Sequence, residues 1–160
     1  MATYSFLDIQ AAISGPGGNI SLSSVLTSTI SLGNESGVAE EGITVEMADD
    51  KNTMMIGAGG QGQHNLHAGR AGTVTIRLLK TSPTNAQMTD MYNYQTSSSA
   101  YHGRNTFSLR DVVRGDSITG QQGAFRRFPS NSYAKTGPIM EWVFDFVQLD
   151  QKIGTGTPEI

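Results

Sequence analysis

Three histidines are the residues whose types could most directly support chemistry. His64 and His67 lie three positions apart, a spacing that would supply two metal ligands if a helix held both on one face, and His102 is distant from them. The segment around the first two is rich in glycine and has no helical pattern. Neither a cysteine nor a nearby carboxylate offers a third ligand. We therefore interpret the pair as solvent-exposed or interface histidines and predict no metal site.

A glycine-rich run at residues 57–62 invites comparison with loops that bind phosphate groups. Such a loop needs a preceding parallel strand, a helix that begins immediately after it, and usually a lysine. Here the next element is a predicted strand that begins at Thr73. The run is better interpreted as a flexible connection or a close approach of backbones, because glycine has no Cβ. No cofactor is expected.

Paired charges occur at residues 40–41, 49–50 and 126–127. Adjacent side chains on a strand point to opposite faces, so neither pair of carboxylates forms an acid–base couple unaided. The two arginines diverge in the same way, and two residues are too few for a nucleic-acid footprint. Serine is frequent, but the Gly-x-Ser-x-Gly motif of a hydrolase nucleophile is missing from the sequence. The sequence therefore predicts a protein that is not an enzyme.

The composition is that of a weakly charged, turn-rich β protein. With 160 residues the chain can form one domain with a real core. Charged residues make up 16%, 19 residues are glycine, and the formal net charge is −3, which argues against a protein that grips nucleic-acid phosphates. No apolar run is long enough to span a membrane, and the first residues do not resemble a secretory signal. We expect a cytosolic protein or a particle assembled in the cytosol.

One strand that leads directly into a capped helix is the clearest local pattern. Apolar residues alternate along residues 73–79, as in a half-buried strand. Ser82 offers an N-cap oxygen, and Pro83 suits the first helical position. The residues that follow form an apolar stripe at helical spacing. The alternating set is Val74, Ile76 and Leu78, and the stripe is Met88, Met91 and Tyr92.

The sequence pattern predicts strands and loops for the rest of the chain. Strands are predicted over residues 4–13, 43–47, 107–113, 118–128 and 140–149, with 53–56 as the return strand of 43–47 and 57–72 as a glycine-rich connection. Trp142, Phe144 and Phe146 alternate along the last strand and are assigned to the core. Residues 19–33 carry no charge and fit either an ordered hairpin or a mobile Ser/Thr loop. The predicted fold is mainly β: a two-sheet β-sandwich or partly closed β-barrel with one helix near residues 83–94.

Several longer motifs resemble a known structural family. The step Lys80-Thr81-Ser82-Pro83 between strand and helix, and a last strand that begins at Glu141 and alternates aromatic residues before Lys152-Ile153, resemble the tail tube fold. This fold is shared by contractile phage tubes and by the hemolysin-coregulated protein of type VI secretion. Residues 39–46, 50–54 and 64–83 are similar to a family of structural proteins from contractile-tailed phages. The likeness covers most of residues 4–149.

The resemblance implies a tail tube subunit in the virion, assembled in the host cytoplasm. Such subunits form hexameric rings that stack into a tube, and DNA crosses the channel without specific binding. The implied partners are further copies of the chain and the tail sheath, baseplate and tail terminator proteins. Two alternatives stay open: a β-sandwich binding module, for instance for carbohydrate, and the inner-tube protein of a related contractile injection system. Ser/Thr/Gly-rich loops and scattered tyrosines allow a sugar site, which would need exposed Trp or Tyr side chains as platforms, whereas the only tryptophan, Trp142, has core neighbours along its strand.

The same comparison gives candidate site residues within a single domain of residues 1–160. In a strand of the inner barrel, alternate side chains point into the core and the others point into the channel. Two extensions, 14–41 and 48–72, are expected to reach neighbouring subunits. The candidate channel-lining residues are Thr75, Arg77, Glu141 and Asp145, and the candidate inter-subunit contacts are Leu22, Leu26 and Met54.

Overall fold

The elements of the chain are nine strands and one helix within the part that the structure, a computed structural model, describes. That part comprises residues 3–5, 8–16, 27–33 and 38–156, with the backbone alone given for 27–33 and 38–41. In chain order the elements are β1 (Ile9–Pro16), β2 (Thr27–Gly33), β3 (Val38–Met47), β4 (Asn52–Ile56), β5 (Gly62–Leu66), β6 (Gly72–Leu79), α1 (Thr84–Thr96), β7 (Asn105–Asp111), β8 (Ser117–Arg127) and β9 (Ile139–Lys152).

Seven of these strands form the main sheet, in the order β2-β1-β7-β8-β9-β6-β3. Neighbouring strands pair antiparallel throughout. The sheet curls into a half-barrel, and β4 and β5 form a small second sheet, which confirms the prediction of a mainly β fold with one helix. The two edges of the main sheet are β2 and β3, so their outer backbone groups are where a further strand could pair.

The core lies on one face of the main sheet, where the alternating residues of β6 and β9 meet. In the register of these strands, Val74 lies opposite Phe144 and Ile76 opposite Trp142. All four side chains are completely buried. Period-two alternation therefore predicted the buried face of both strands correctly, because a pleated strand sends successive side chains to opposite sides.

Helix α1 covers this buried face. Met88 and Met91 are completely buried in the core, and the Tyr92 ring packs edge-on against Phe125 and Phe128, each at a centroid distance of 5.4 Å. The predicted apolar stripe is confirmed.

The start of α1 differs by one residue from the prediction. Pro83 occupies the cap position rather than the first helical position, and the helix begins at Thr84. The Ser82 hydroxyl still accepts a hydrogen bond from the Thr84 amide at 3.3 Å. The serine therefore satisfies an amide of the first turn from one position before the cap.

A buried pair of amides joins the end of α1 to the sheet. Gln95 Nε2 donates to Asn105 Oδ1 at 2.6 Å, Asn105 Nδ2 donates back to Gln95 Oε1 at 2.9 Å, and Gln95 Nε2 also reaches the carbonyl of Pro16 at 3.1 Å. A Cβ built on Gly15 would overlap Asn105 Oδ1 and crowd Gln95 Nε2, so any other residue there would displace the buried amide pair. The pair fixes the helix against β1 and β7.

We expect Asn105→Ala to destabilise the fold by about 2–3 kcal/mol, because it leaves the buried Gln95 amide without a partner for its carbonyl. The measurement is urea unfolding of the unassembled subunit. Asn93→Ala, an exposed asparagine on the same helix, is the matched control and should change stability by less than about 0.5 kcal/mol. Equal stabilities of the two variants would contradict a structural role for the pair.

The connection between β3 and β6 differs from its predicted form. β4 pairs with β5 rather than with β3, and β3 pairs with β6. The prediction of 53–56 as the return strand of 43–47, and of 57–72 as a connection without a strand, is therefore wrong. The physical reason is the turn at 57–61, where the Gly57 amide donates to the Gln61 carbonyl at 2.8 Å and Gly60 adopts a φ of +83°. Glycine accepts that conformation readily, and the chain folds back there.

The N-terminal half also shifts relative to the prediction. The first strand spans Ile9–Pro16 rather than residues 4–13, and Thr27–Gly33 pairs with it as an edge strand. Within residues 19–33, the part 27–33 is therefore a strand paired with β1, whereas 19–26 lies outside the described residues. The candidate contact residues Leu22 and Leu26 lie outside the described residues.

Arg114 anchors the segment before β1. Its guanidinium lies 2.9 Å from Asp111 and 3.1 Å from Asp8, donates to the carbonyl of Thr3, and stacks over the Tyr4 ring. Burial alone would raise the pKa of the Asp111 carboxyl, but hydrogen bonds from Arg114 and Val113 and the arginine charge hold that pKa below its usual value. The chain start is thereby tied to the turn between β7 and β8.

Candidate functional site

The face of the main sheet that points away from α1 carries mostly polar side chains. On β6 these are Thr73, Thr75 and Arg77, which alternate with the buried core residues of that strand. The register places Glu141 directly opposite Arg77 and Asp145 opposite Thr73. We call this surface the polar face; it comprises Thr44 and Glu46 on β3, Thr73, Thr75 and Arg77 on β6, Arg126 and Arg127 on β8, and Glu141, Val143, Asp145 and the exposed Val147 on β9. The structure therefore brings all four candidate channel-lining residues together on one surface.

Asp145 is paired with an arginine of the neighbouring strand. Arg126 Nε lies 3.2 and 3.1 Å from the two carboxylate oxygens, and Arg126 Nη2 lies 2.6 Å from Oδ1. Nη2 also donates to the Thr73 hydroxyl at 3.2 Å, so the arginine extends from β8 across β9 to β6. The hydrogen bonds and charge of Asp145 raise the pKa of the Arg126 guanidinium above its ordinary value.

Arg126 is the residue of this surface that the sequence reasoning missed. The prediction that Arg126 and Arg127 diverge is wrong, because a register shift in β8 after Phe125 places Arg127 opposite Val143, on the face where Arg126 contacts Asp145. The signal was Phe125, whose assignment to the core would have placed Arg126 on the opposite face. The ion pair of Arg126 with Asp145 could not be predicted without the strand order, which places β8 beside β9.

Glu141 lies beside a second arginine. Arg77 Nε is 3.7 Å from the Glu141 carboxylate, and Arg77 Nη1 donates to the Thr44 hydroxyl at 2.8 Å. A third contact, 3.4 Å between Arg70 and Asp150, lies near the end of β9. Each of these three arginines therefore lies beside one carboxylate of β9. Glu46 on β3 adds one further negative charge to the polar face.

The same side of the sheet becomes more basic toward β7. Arg110 and Lys152 lie opposite the same residue, Ser117 of β8, on either side of it. Both side chains are exposed. Charge is thus distributed unevenly: ion pairs lie over β6 and β9, Arg127 adds an exposed positive charge at the end of β8, and the β7 side is positive.

The hairpin formed by β4 and β5 is a second exposed feature, and we call it the arm. Every residue of β4 is exposed, and the apolar side chains Met54, Met55, Ile56 and Leu66 are 57%, 63%, 64% and 86% exposed. At its base the His67 amide donates to the Lys51 carbonyl at 2.9 Å. Exposed apolar residues grouped on one small element mark an interaction surface.

His64 and His67 lie on the arm and at its base. His64 lies on β5 opposite Met54, and the His67 ring nitrogen lies 2.5 Å from the Thr53 hydroxyl at the base of the arm. Within the described ranges, no group of three or more histidine, cysteine or acidic side chains is close enough to hold a metal ion.

Of the aromatic residues considered for a sugar site, the tryptophan is inaccessible, whereas Tyr4 and Tyr133 are exposed. Trp142 is completely buried, and its indole Nε1 donates to Asn85 Oδ1 at 3.0 Å. It therefore cannot serve as a stacking platform for a carbohydrate ring. No helix among the residues that the structure describes has the length and apolar character needed to cross a membrane.

The fold and its exposed features define a class: a mainly β protein with a curled half-barrel sheet, a polar sheet face, two sheet edges and an arm with exposed apolar residues. Comparison with known proteins gives the particular family. A family model described as Bacteriophage PhiTE tail tube protein matches residues 1–154, and the chain belongs to that family. No curated protein matches the chain by sequence.

Membership confirms the resemblance drawn from the motifs and sets the biological context. The chain is a structural protein of a phage tail tube, it is located in the tail of the virion, and it assembles with copies of itself into a tube.

Proposed function

We propose that the chain forms hexameric rings that stack into the tube of a contractile tail, with the polar face lining the channel through which DNA passes. The observation that carries this proposal is the two-sided character of the main sheet. One face is sealed by α1 and the aromatic core, whereas the other is mostly polar, with side chains that are half-buried or exposed over β3, β6 and β9. A wall between a protein interior and a water-filled channel needs both properties.

The edges of the main sheet support closure into a ring. An exposed edge presents unpaired backbone groups and invites pairing with another strand. If β2 or β3 pairs with a strand of the next subunit, the curled half-barrels join into one continuous barrel, and the edges disappear.

The extensions 14–41 and 48–72 are proposed to connect subunits within and between rings. The arm lies in the second, and its exposed Met54 is the proposed contact. Leu22 and Leu26 belong to the first. The sheath, baseplate and terminator proteins of the tail are the further proposed partners, on the outer wall and at the two ends of the tube.

Cysteine labelling tests the orientation of the polar face, because the chain has no cysteine of its own. Thr75→Cys should react with a maleimide carried on a large globular protein when subunits are unassembled, and should be protected in tubes. Asp90→Cys, on the exposed side of α1, is the matched control and should react in both states. Electron microscopy of the same tubes reports the number of subunits in a ring.

Equal labelling of Thr75→Cys in tubes and in subunits would place the polar face on the outer wall. That result would overturn the channel assignment while leaving the family membership intact.

A further inference from the structure

We infer that Asp145 serves to occupy Arg126, and Glu141 to a lesser degree Arg77, so that these arginines cannot bind the phosphates of passing DNA. This inference rests on the proposed function, because it assigns the polar face to the channel. It differs from simple repulsion by carboxylates, since it makes the effect of each carboxylate depend on one particular arginine.

The geometry at Arg126 carries the argument. A guanidinium presents its donors in a planar fork, and the fork that binds a carboxylate is the one that binds a phosphate. Asp145 occupies the side of the fork formed by Nε and Nη2, with donor–acceptor distances of 2.6 to 3.2 Å. Thr73 takes a further contact of Nη2. A phosphate would therefore have to displace Asp145 before it could bind bidentately.

The exposure of the pair shows what the interaction is suited to do. The Arg126 and Asp145 side chains are 48% and 51% exposed, and an ion pair at that exposure contributes little to stability. Both groups nevertheless remain in reach of a ligand that approaches the polar face. An arrangement that adds little to folding but fills an arginine fork alters what the surface can bind.

Arg77 is a weaker case of the same arrangement. Its side chain is 20% exposed, and its contact with Glu141 is 3.7 Å, longer than an ordinary hydrogen bond. The Thr44 hydroxyl holds another of its donors. Shelter between strands, rather than the carboxylate alone, limits the access of phosphate to Arg77, so the larger effect is expected at Asp145.

The test is binding of a short fluorescent DNA duplex at low salt, measured by anisotropy with unassembled subunits and by co-sedimentation with tubes. Asp145→Asn keeps the shape of the side chain and removes its charge. It should raise DNA affinity at least about tenfold and steepen the salt dependence by about 0.9 for each newly contacted phosphate. Asp90→Asn makes the same change of net charge on the helix and should leave affinity within about twofold of wild type.

Double variants separate occupation of Arg126 by Asp145 from general repulsion of phosphate by carboxylates. Arg126→Gln with Asp145→Asn should return DNA binding to the wild-type level. Arg110→Gln with Asp145→Asn removes an arginine outside the pair from the same side of the sheet and should keep most of the gain. Equal DNA binding by Asp145→Asn and wild type would overturn the inference, and so would a gain that persists without Arg126.

The outcome is independent of the channel assignment. Subunits need no tube for the anisotropy measurement, so a failure of Arg126 masking is seen there directly. A failure of the proposed function is seen instead as exposure of Thr75→Cys on the outside of tubes.

Discussion

Trp142→Ala is expected to lower the free energy of unfolding of the subunit by about 3–5 kcal/mol. The indole is completely buried between α1 and the sheet, with ring centroids 5.8 Å from Phe125 and 5.3 Å from Phe128. Truncation removes these contacts, leaves a cavity in the aromatic core, and deprives Asn85 of its indole donor. Urea unfolding of unassembled subunits measures the loss.

Two further variants assign the cause. Trp142→Phe keeps most of the ring volume and loses the hydrogen bond to Asn85, so its cost should be clearly smaller than that of alanine. Val143→Ala truncates the next residue, which lies on the polar face, and should cost less than about 1 kcal/mol. A Trp142→Ala variant as stable as Val143→Ala would show that the aromatic core does not hold α1 on the sheet.

The core could be predicted from the sequence because it rests on regular alternation. Val74, Ile76 and Leu78 on one strand and Trp142 and Phe144 on another each carry an unambiguous period of two. Since a shift of one residue would expose every apolar side chain of such a strand, the buried face is determined locally. The helix could also be predicted, because its methionines repeat at helical spacing after a serine and a proline.

The pairing of the arm could not be predicted in the same way. Residues 43–47 and 53–56 are neighbours in sequence, and adjacency favoured a hairpin between them. The deciding feature is the turn at 57–61, and a run of glycines does not reveal whether it is a turn or a loose connection. The partner of β3 is β6, which starts 25 residues after the end of β3, as their bounds at Met47 and Gly72 show.

The ion pairs of the polar face required the strand order. Sequence alternation placed Arg77, Glu141 and Asp145 opposite the core residues of their strands, and the structure agrees. Sequence alternation did not show that β8 lies beside β9, so it could not predict the ion pair between Arg126 and Asp145. A charge pattern along one strand therefore indicates which face is polar, but the net character of that face depends on neighbours from distant parts of the chain.

Removal of the arm is expected to abolish tube formation while the subunit stays folded. Asn-Gly in place of residues 52–66 would join Lys51 to His67, whose backbones are already hydrogen-bonded at 2.9 Å, and Asn-Gly favours a two-residue hairpin turn. Among the described core residues none lies in the arm, so the main sheet loses no buried contact. Circular dichroism should show a folded subunit, and sedimentation should show no tubes.

Single substitutions distinguish loss of a contact from general damage to the arm. Met54→Glu replaces an exposed apolar side chain that would be buried between subunits. The loss of one such burial, about 1.5–3 kcal/mol, corresponds to a rise of at least about tenfold in the concentration needed for assembly. Gln63→Glu introduces the same charge on β5 and should assemble near the wild-type concentration. Because both variants keep the hairpin backbone, normal tubes from Met54→Glu would mean that the apolar side of the arm faces solvent in the tube, and contacts between subunits would then have to come from the sheet edges or from residues 14–41.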